Sequence, residues 1–295
     1  MKCKHPPFVF LLAYLALSSQ SIVQATKGWG TDELRLIKEL AVLSPDDRCK
    51  LAMRYQELHG QPLKTLMQKE CGNRDFGTAI QFLAVPLDEA ETMMIHKSCK
   101  GLGTAETLLY SIICGRSNNE MDILKKKFFD VYDTDLGRRL DSELSGDFEK
   151  LIFHCLQADE KEYDPDFHTE DKVAEDVAAF YQFGQGKFGT DEGGFFKLIT
   201  QSPPEHLKKV NQLYADKHDI TLFQAVKDEM SGKTEQATVF LLGMKLKPYA
   251  TVAKLLKQSM AGMGVSREAT LCVVSLLVCL TATLRCRQHR PTNCS

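Results

Sequence analysis

The chain has 295 residues, 43% of them hydrophobic and 26% charged, with a formal net charge of −2. Length and apolar content suffice for a sizeable core, in one large domain or several small ones. The near-neutral balance argues against a nucleic-acid binder, which needs a basic surface to displace counterions. It argues equally against unaided attraction to acidic lipid, so an acidic partner requires a bridging cation or a local patch.

At the N-terminus, Lys2 and Lys4 precede an apolar run from Phe8 to Leu17, and Val23 and Ala25 are small residues at a plausible cleavage point, the pattern of a secretory signal. The same stretch also keeps step with later helices. Ile22, Ile95 and Leu256 each sit six positions before a glycine loop, and Ala25, Ser98 and Ser259 three before. Cleavage after Ala25 would remove the helix that supports the first loop. The reading adopted is a leader over residues 1–17 followed by an uncleaved helix, with secretion only if the segment is cleaved.

The loops then recur. Gly28-Trp29-Gly30-Thr31, Gly101-Leu102-Gly103-Thr104 and Lys187-Phe188-Gly189-Thr190 are each followed, 42 positions after their first residue, by a carboxylate: Glu70, Glu143 and Glu229. One such loop is ordinary helix punctuation; three with a single carboxylate spacing are not. Other landmarks keep phase. Ser44 and Ser117 stand sixteen residues after the loop start and Ser202 fifteen, each opening a helix, with capping boxes at Ser117–Glu120 and Ser202–Glu205. Tyr55, Phe128 and Tyr214 stand at +27, and Leu63, Leu136 and Leu222 at +35, as core positions of equivalent helices. In the second copy the apolar periodicity predicts a helix through Leu108–Ile113, one through Met121, Leu124, Phe128 and Val131, one near Leu136–Leu140 and one over Phe148–Leu156. With the helix before the loop, that makes five per repeat, and strand signals are nearly absent. The fold class is therefore all-α, an array of repeats burying their faces against one another.

Repeat 1 spans 18–84, repeat 2 85–157 and repeat 3 172–246, with an acidic stretch over 158–171 reading as an exposed linker. Residues 247–295 form a partial fourth repeat. Its loop, Gly262-Met263-Gly264-Val265, has Val in place of Thr and no carboxylate at the repeat distance. Ala269–Leu284 is an uncharged run, short for a membrane span of about 20 residues. It reads as a buried helix of a truncated repeat, a weak anchor, or a segment foreign to the array, in that order. Ten Cys are too sparse for a disulfide scaffold, and Cys49, Cys71, Cys99, Cys114 and Cys155 read as buried free thiols in a reducing compartment.

Glycines allow a turn to aim successive carbonyl oxygens outward. Several carbonyls and one Glu make an all-oxygen site, which suits a hard cation, and the open geometry favours Ca²⁺ over Mg²⁺. A single carboxylate implies weak binding, with waters that a lipid phosphate could replace. The ion then bridges protein and membrane. The x position of each loop is apolar, as Trp29, Leu102 and Phe188, and again at Met263. Those side chains are suited to dip among headgroups. Several weak sites on one rigid surface would make lipid binding steep in Ca²⁺. No recurrent His spacing suggests a triad, and there is neither an H-E-x-x-H nor a Walker loop, so an enzyme is not expected.

These residues resemble the annexin family. The GWGTDE and GLGT loops, the K-x-GTDE variant of repeat 3, Ser142–Glu149 (SELSGDFE) and the middle linker match that family's repeat over about residues 18–268. The resemblance implies five-helix repeats in a curved disc, here three complete and a truncated fourth, with Ca²⁺ sites on the convex face and Ca²⁺-dependent binding to acidic phospholipids such as phosphatidylserine. The ligands it implies are Gly28, Gly30 and Glu70 in repeat 1; Gly101, Gly103 and Glu143 in repeat 2; and Gly184, Lys187, Gly189 and Glu229 in repeat 3. It places the protein in the cytoplasm, peripheral on plasma or vesicle membranes, with self-association there as a further expectation and no nucleic-acid partner. The competing reading is a helical-repeat scaffold for protein partners without Ca²⁺-dependent lipid binding.

Overall fold

The computed structural model describes residues 8–99, 105–184 and 191–260. Among them are sixteen α-helices and no strand. The first five are α1 (Phe8–Ala25), α2 (Glu33–Leu40), α3 (Pro45–His59), α4 (Leu63–Cys71) and α5 (Asp75–Leu83). The next five are α6 (Leu87–Ser98), α7 (Glu106–Ile113), α8 (Asn118–Tyr132), α9 (Leu136–Asp141) and α10 (Gly146–Leu156). The same five-fold order returns in α11 (Glu170–Phe183), α12 (Glu192–Gln201), α13 (Pro204–His218), α14 (Leu222–Glu229) and α15 (Gly232–Leu246), and α16 (Pro248–Met260) follows. The fourth loop at 262–265 and the run from Ala269 lie outside the described residues.

Local chemistry accounts for the helix ends. Ser44 accepts the Asp47 N–H ahead of Pro45 at the first helical position of α3, which stops at Gly60 with φ +69°. Ser117 and Glu120 form the reciprocal capping box of α8, which stops at Asp133 in the left-handed region. At α13 the expected box is absent: Pro203 is the N-cap and no side chain caps the helix. Ser202 instead serves as the C-cap of α12, its N–H bonded to Leu198 O and so not free for the Glu205 carboxylate, and it sits one position before the N-cap of α13. Asp219, at φ +58°, ends α13 as Asp133 ends α8.

Two compact units divide the described residues, one reaching Met94 and the other starting at Ile95. In the first, α1 packs on α2 and α3, α4 on α3 and α5, and α2 on α5. Their shared core holds Ile22, Leu36, Leu51, Tyr55 and Leu63, and each such side chain contributes about 1.5–3 kcal/mol on full burial. Helix α1 is continuous from Phe8, and Leu15, Ile22 and Ala25 are all buried, so the boundary drawn at residue 17 falls inside one helix. No helix among the described residues is long and apolar enough to cross a membrane.

In the second unit α10 packs on α7, α12 and α15, α15 on α7 and α16, and α11 on α12 and α13. The phase-matched positions are buried to the same degree in both units: Tyr55, Phe128 and Tyr214 are 1%, 0% and 1% exposed, and Leu63, Leu136 and Leu222 are 1%, 0% and 0%. Val131, expected on the apolar stripe of α8, is exposed. The stretch between α10 and α11 is exposed over most of its length but pinned at its ends. Asn118 exchanges two hydrogen bonds with the Glu160 backbone, Lys245 holds Glu160 at 2.9 Å, and His168 is buried. The five described cysteines are free thiols, with the Sγ atoms of Cys114 and Cys155 3.8 Å apart.

Candidate metal site

The loops of the first three repeats are spanned by the same backbone hydrogen bond. The Asp32 N–H donates to Ala25 O at 2.8 Å, Ala105 to Ser98 O at 2.9 Å, and Asp191 to Phe183 O at 2.8 Å. The bond ties the end of the helix before the loop to the start of the helix after it. Asp32 and Asp191 also cap the following helices through their side chains, whereas Ala105 cannot. The loop of repeat 1 is described throughout. Gly28 and Gly30 have φ +106° and +87°, and a Cβ at either would meet nothing within 4 Å, so the dihedral and not crowding requires glycine. Between them Trp29 is fully exposed, at 107%.

Glu70 lies at the end of α4 with its side chain mostly buried, its carboxylate 3.3 Å from Lys69 Nζ. Burial pushes the Tyr55 hydroxyl above its ordinary value, a hydrogen bond with Gln61 opposes this, and the Glu70 charge adds to it. The third repeat repeats the arrangement: Tyr214 is pushed up to about 12 by burial, with Glu229 the next contributor. The tyrosines at +27 therefore both feel the charge of the carboxylates at +42. Sequence reasoning took them for core alone, and the shared spacing was the available signal.

In repeat 2, Gly101, Leu102 and Gly103 lie outside the described residues, but both flanks of the loop are defined. Arg139 Nη2 lies 3.0 Å from Glu143 Oε1 and donates to Cys99 O at 3.1 Å. The same nitrogen serves both, so the carboxylate and the last described carbonyl before the loop can be no further apart than those two distances together. One positive nitrogen sits between a carboxylate oxygen and a backbone oxygen. Arg139 was not singled out from the sequence, where an Arg four residues before a Glu reads as an ordinary helix ion pair.

In repeat 3, Lys187, Phe188 and Gly189 lie outside the described residues, and Gly184 and Glu229 are brought together. A Cβ on Gly184 would stand 3.1 Å from Glu229 Cγ and 3.4 Å from its Cδ. A side chain there would have to push the Glu229 side chain aside by a few tenths of an ångström. Among the described residues no three His, Cys, Asp or Glu side chains converge to hold a metal ion. The donors that do converge are one carboxylate and backbone oxygen, the set a hard cation takes.

The family model described as Annexin matches residues 89–154 and 176–241. Annexin C1 of Cryptococcus neoformans var. grubii is 32% identical over 255 residues, 85% of this chain and 53% of that protein. The chain belongs to the annexin family. Mouse annexin A13 is 28% identical over 260 residues, covering 87% of this chain and 80% of its own. This annexin thus spans about half the length of the fungal relative and four fifths of the mouse one. Among solved structures it is similar to annexin III, with a TM-score of 0.81 at 25% identity over 97% of this chain and 88% of that one. Chicken annexin V gives a TM-score of 0.78 at 26% identity over 88% and 82%. The all-helical architecture is the annexin fold. Annexins are in general Ca²⁺-dependent phospholipid-binding proteins without enzymatic activity.

Proposed function

We propose that this annexin docks peripherally on acidic membranes through Ca²⁺ bridging, as a binding protein and not an enzyme. The observation that carries the reading is the convergence of Glu143 Oε1 and Cys99 O on a single positively charged nitrogen, at 3.0 and 3.1 Å. A carboxylate and a carbonyl so placed beside a Gly-x-Gly-Thr loop suit a hard divalent ion. Gly184 against Glu229, and Glu70 with the open loop at Gly28–Gly30, supply the corresponding parts elsewhere. Glu70, Glu143 and Glu229 would each hold one ion together with the loop carbonyls of Gly28 and Gly30, of Gly101 and Gly103, and of Gly184, Lys187 and Gly189. Bound there, Ca²⁺ supplies the positive charge that a chain of net charge −2 lacks, and leaves coordination positions for lipid phosphate. Trp29, Leu102 and Phe188 would enter the headgroup layer beside it. The protein would act at the cytoplasmic face of plasma or vesicle membranes and self-associate there.

Co-sedimentation with phosphatidylserine vesicles tests this. Pelleting is expected in Ca²⁺ and not in chelator, and Glu143→Gln should raise the Ca²⁺ needed for half-pelleting by roughly tenfold, about 1.4 kcal/mol, at unchanged helicity. Equal pelleting with and without chelator would instead favour the protein-scaffold reading.

A further inference from the structure

We propose that Arg139 is a built-in competitor for the cation of the second site and sets a higher Ca²⁺ threshold there than in the other two repeats. The proposal rests on the reading of Glu143 as a ligand. Its warrant is position: Arg139 Nη2 occupies the point between Glu143 Oε1 and Cys99 O that a bound ion would have to take over. An ion reaching Glu143 must displace the guanidinium or share the carboxylate with it.

The position that Arg139 holds carries no cation in the other repeats. Four residues before Glu70 stands Leu66, and four before Glu229 stands Ala225, both buried and apolar. The cation nearest Glu70 is Lys69, whose side chain is 78% exposed, so its attraction is screened by solvent. The Arg139 and Glu143 side chains are only 28% and 26% exposed, and screening between them is weaker. A planar guanidinium bonded at once to a carboxylate and a carbonyl is also a more defined competitor than a flexible ammonium.

The guanidinium is nevertheless displaceable. Arg139 Nε is buried with no hydrogen-bond partner among the described residues, so the pose leaves one donor unmet there. Swinging the side chain out would return that N–H to water and free both oxygens together. Arg139 thus holds the site shut at low Ca²⁺ without closing it permanently, and repeat 2 fills after repeats 1 and 3. Its sequence keeps both glycines, the Thr and the Glu, yet its carboxylate is held by an internal guanidinium.

The test uses the full chain as wild type, Arg139→Gln, Glu143→Gln and the double variant. Two readouts are taken against Ca²⁺ concentration: the thermal unfolding midpoint without lipid, and pelleting with phosphatidylserine vesicles. Arg139→Gln is expected to move the site's response to roughly tenfold lower Ca²⁺, and Arg139→Lys to fall between it and wild type. In the Glu143→Gln background the Arg139 substitution should have no effect on either curve. If Glu143→Gln weakens the response but Arg139→Gln titrates as wild type, the competitor role is overturned and Glu143 remains a ligand. If Glu143→Gln changes neither curve, the ligand reading fails and the proposal with it. A shift from Arg139→Gln that persists in the double variant would also overturn it, because Arg139 would then act elsewhere. Circular dichroism in chelator checks that each variant folds.

Discussion

At the scale of single residues, Trp29 is the most informative side chain. It is the sole Trp of the chain, and it stands fully exposed between two glycines of positive φ. A large indole left in water by its own fold adds nothing to the core, so its contribution must come from what it meets. Trp29→Ala should therefore leave the unfolding midpoint unchanged and weaken vesicle binding by roughly tenfold, from the apolar surface no longer buried. Being single, Trp29 also reports on itself. Its emission should shift to the blue when vesicles and Ca²⁺ are both present and return on chelation; a constant emission maximum would place the indole outside the bilayer interface. The glycines and the three glutamates stand out in the sequence because they recur at a fixed spacing along the chain. Arg139 does not, since its role depends on Cys99 O, forty residues away, and no local pattern announces that meeting. The contact of Gly184 with Glu229 is a long-range approach of the same kind, and only the family resemblance pointed to Gly184.

At the scale of elements, the capping differences between equivalent helices carry measurable weight. Ser117 and Glu120 satisfy two orphan donors of α8 reciprocally, whereas the first turn of α13 has no side-chain cap and relies on Pro203 and Pro204. Ser117→Ala should cost about 1–2 kcal/mol in urea unfolding. Ser202→Ala should cost clearly less, since no cap is lost; equal costs would mean that Ser202 caps α13 in solution. The helices themselves were readable from period and phase, because Tyr55, Phe128 and Tyr214 are core positions wherever the repeat recurs. The start of α13 was misread because Ser-Pro-Pro-Glu fits the letters of a capping box while the Ser202 N–H is spent on closing α12. The linker shows the complementary failure. Its acidic composition correctly suggests exposure, but the buried His168 and the Glu160 carboxylate held by Lys245 come from partners on α13 and α15 that composition cannot reveal.

At the scale of the molecule, the argument concerns how the sites act together. Glu143 and Glu229 both belong to the second unit, whose repeats are joined by packing of α10 on α12 and of α7 on α15. On the proposed function, a lipid-bound ion at one of them would hold the other near the same membrane, making the second event effectively intramolecular. Wild-type pelleting should therefore be steep in Ca²⁺, with a Hill slope above one, and Glu143→Gln/Glu229→Gln should lower the slope towards one. The two single variants should not be equivalent. Glu229 has the buried Ala225 four residues before it, and Glu143 has Arg139. If repeat 3 engages first and repeat 2 follows at higher Ca²⁺, Glu229→Gln removes the early anchor and leaves the site that must first expel its guanidinium. Glu143→Gln removes only the late one. The half-pelleting Ca²⁺ should rise further in Glu229→Gln than in Glu143→Gln, and restoring symmetry with Arg139→Gln should shrink that gap. Equal shifts in the two single variants, with or without Arg139, would mean that the repeats fill independently of the guanidinium and that linkage through the second unit alone sets the steepness.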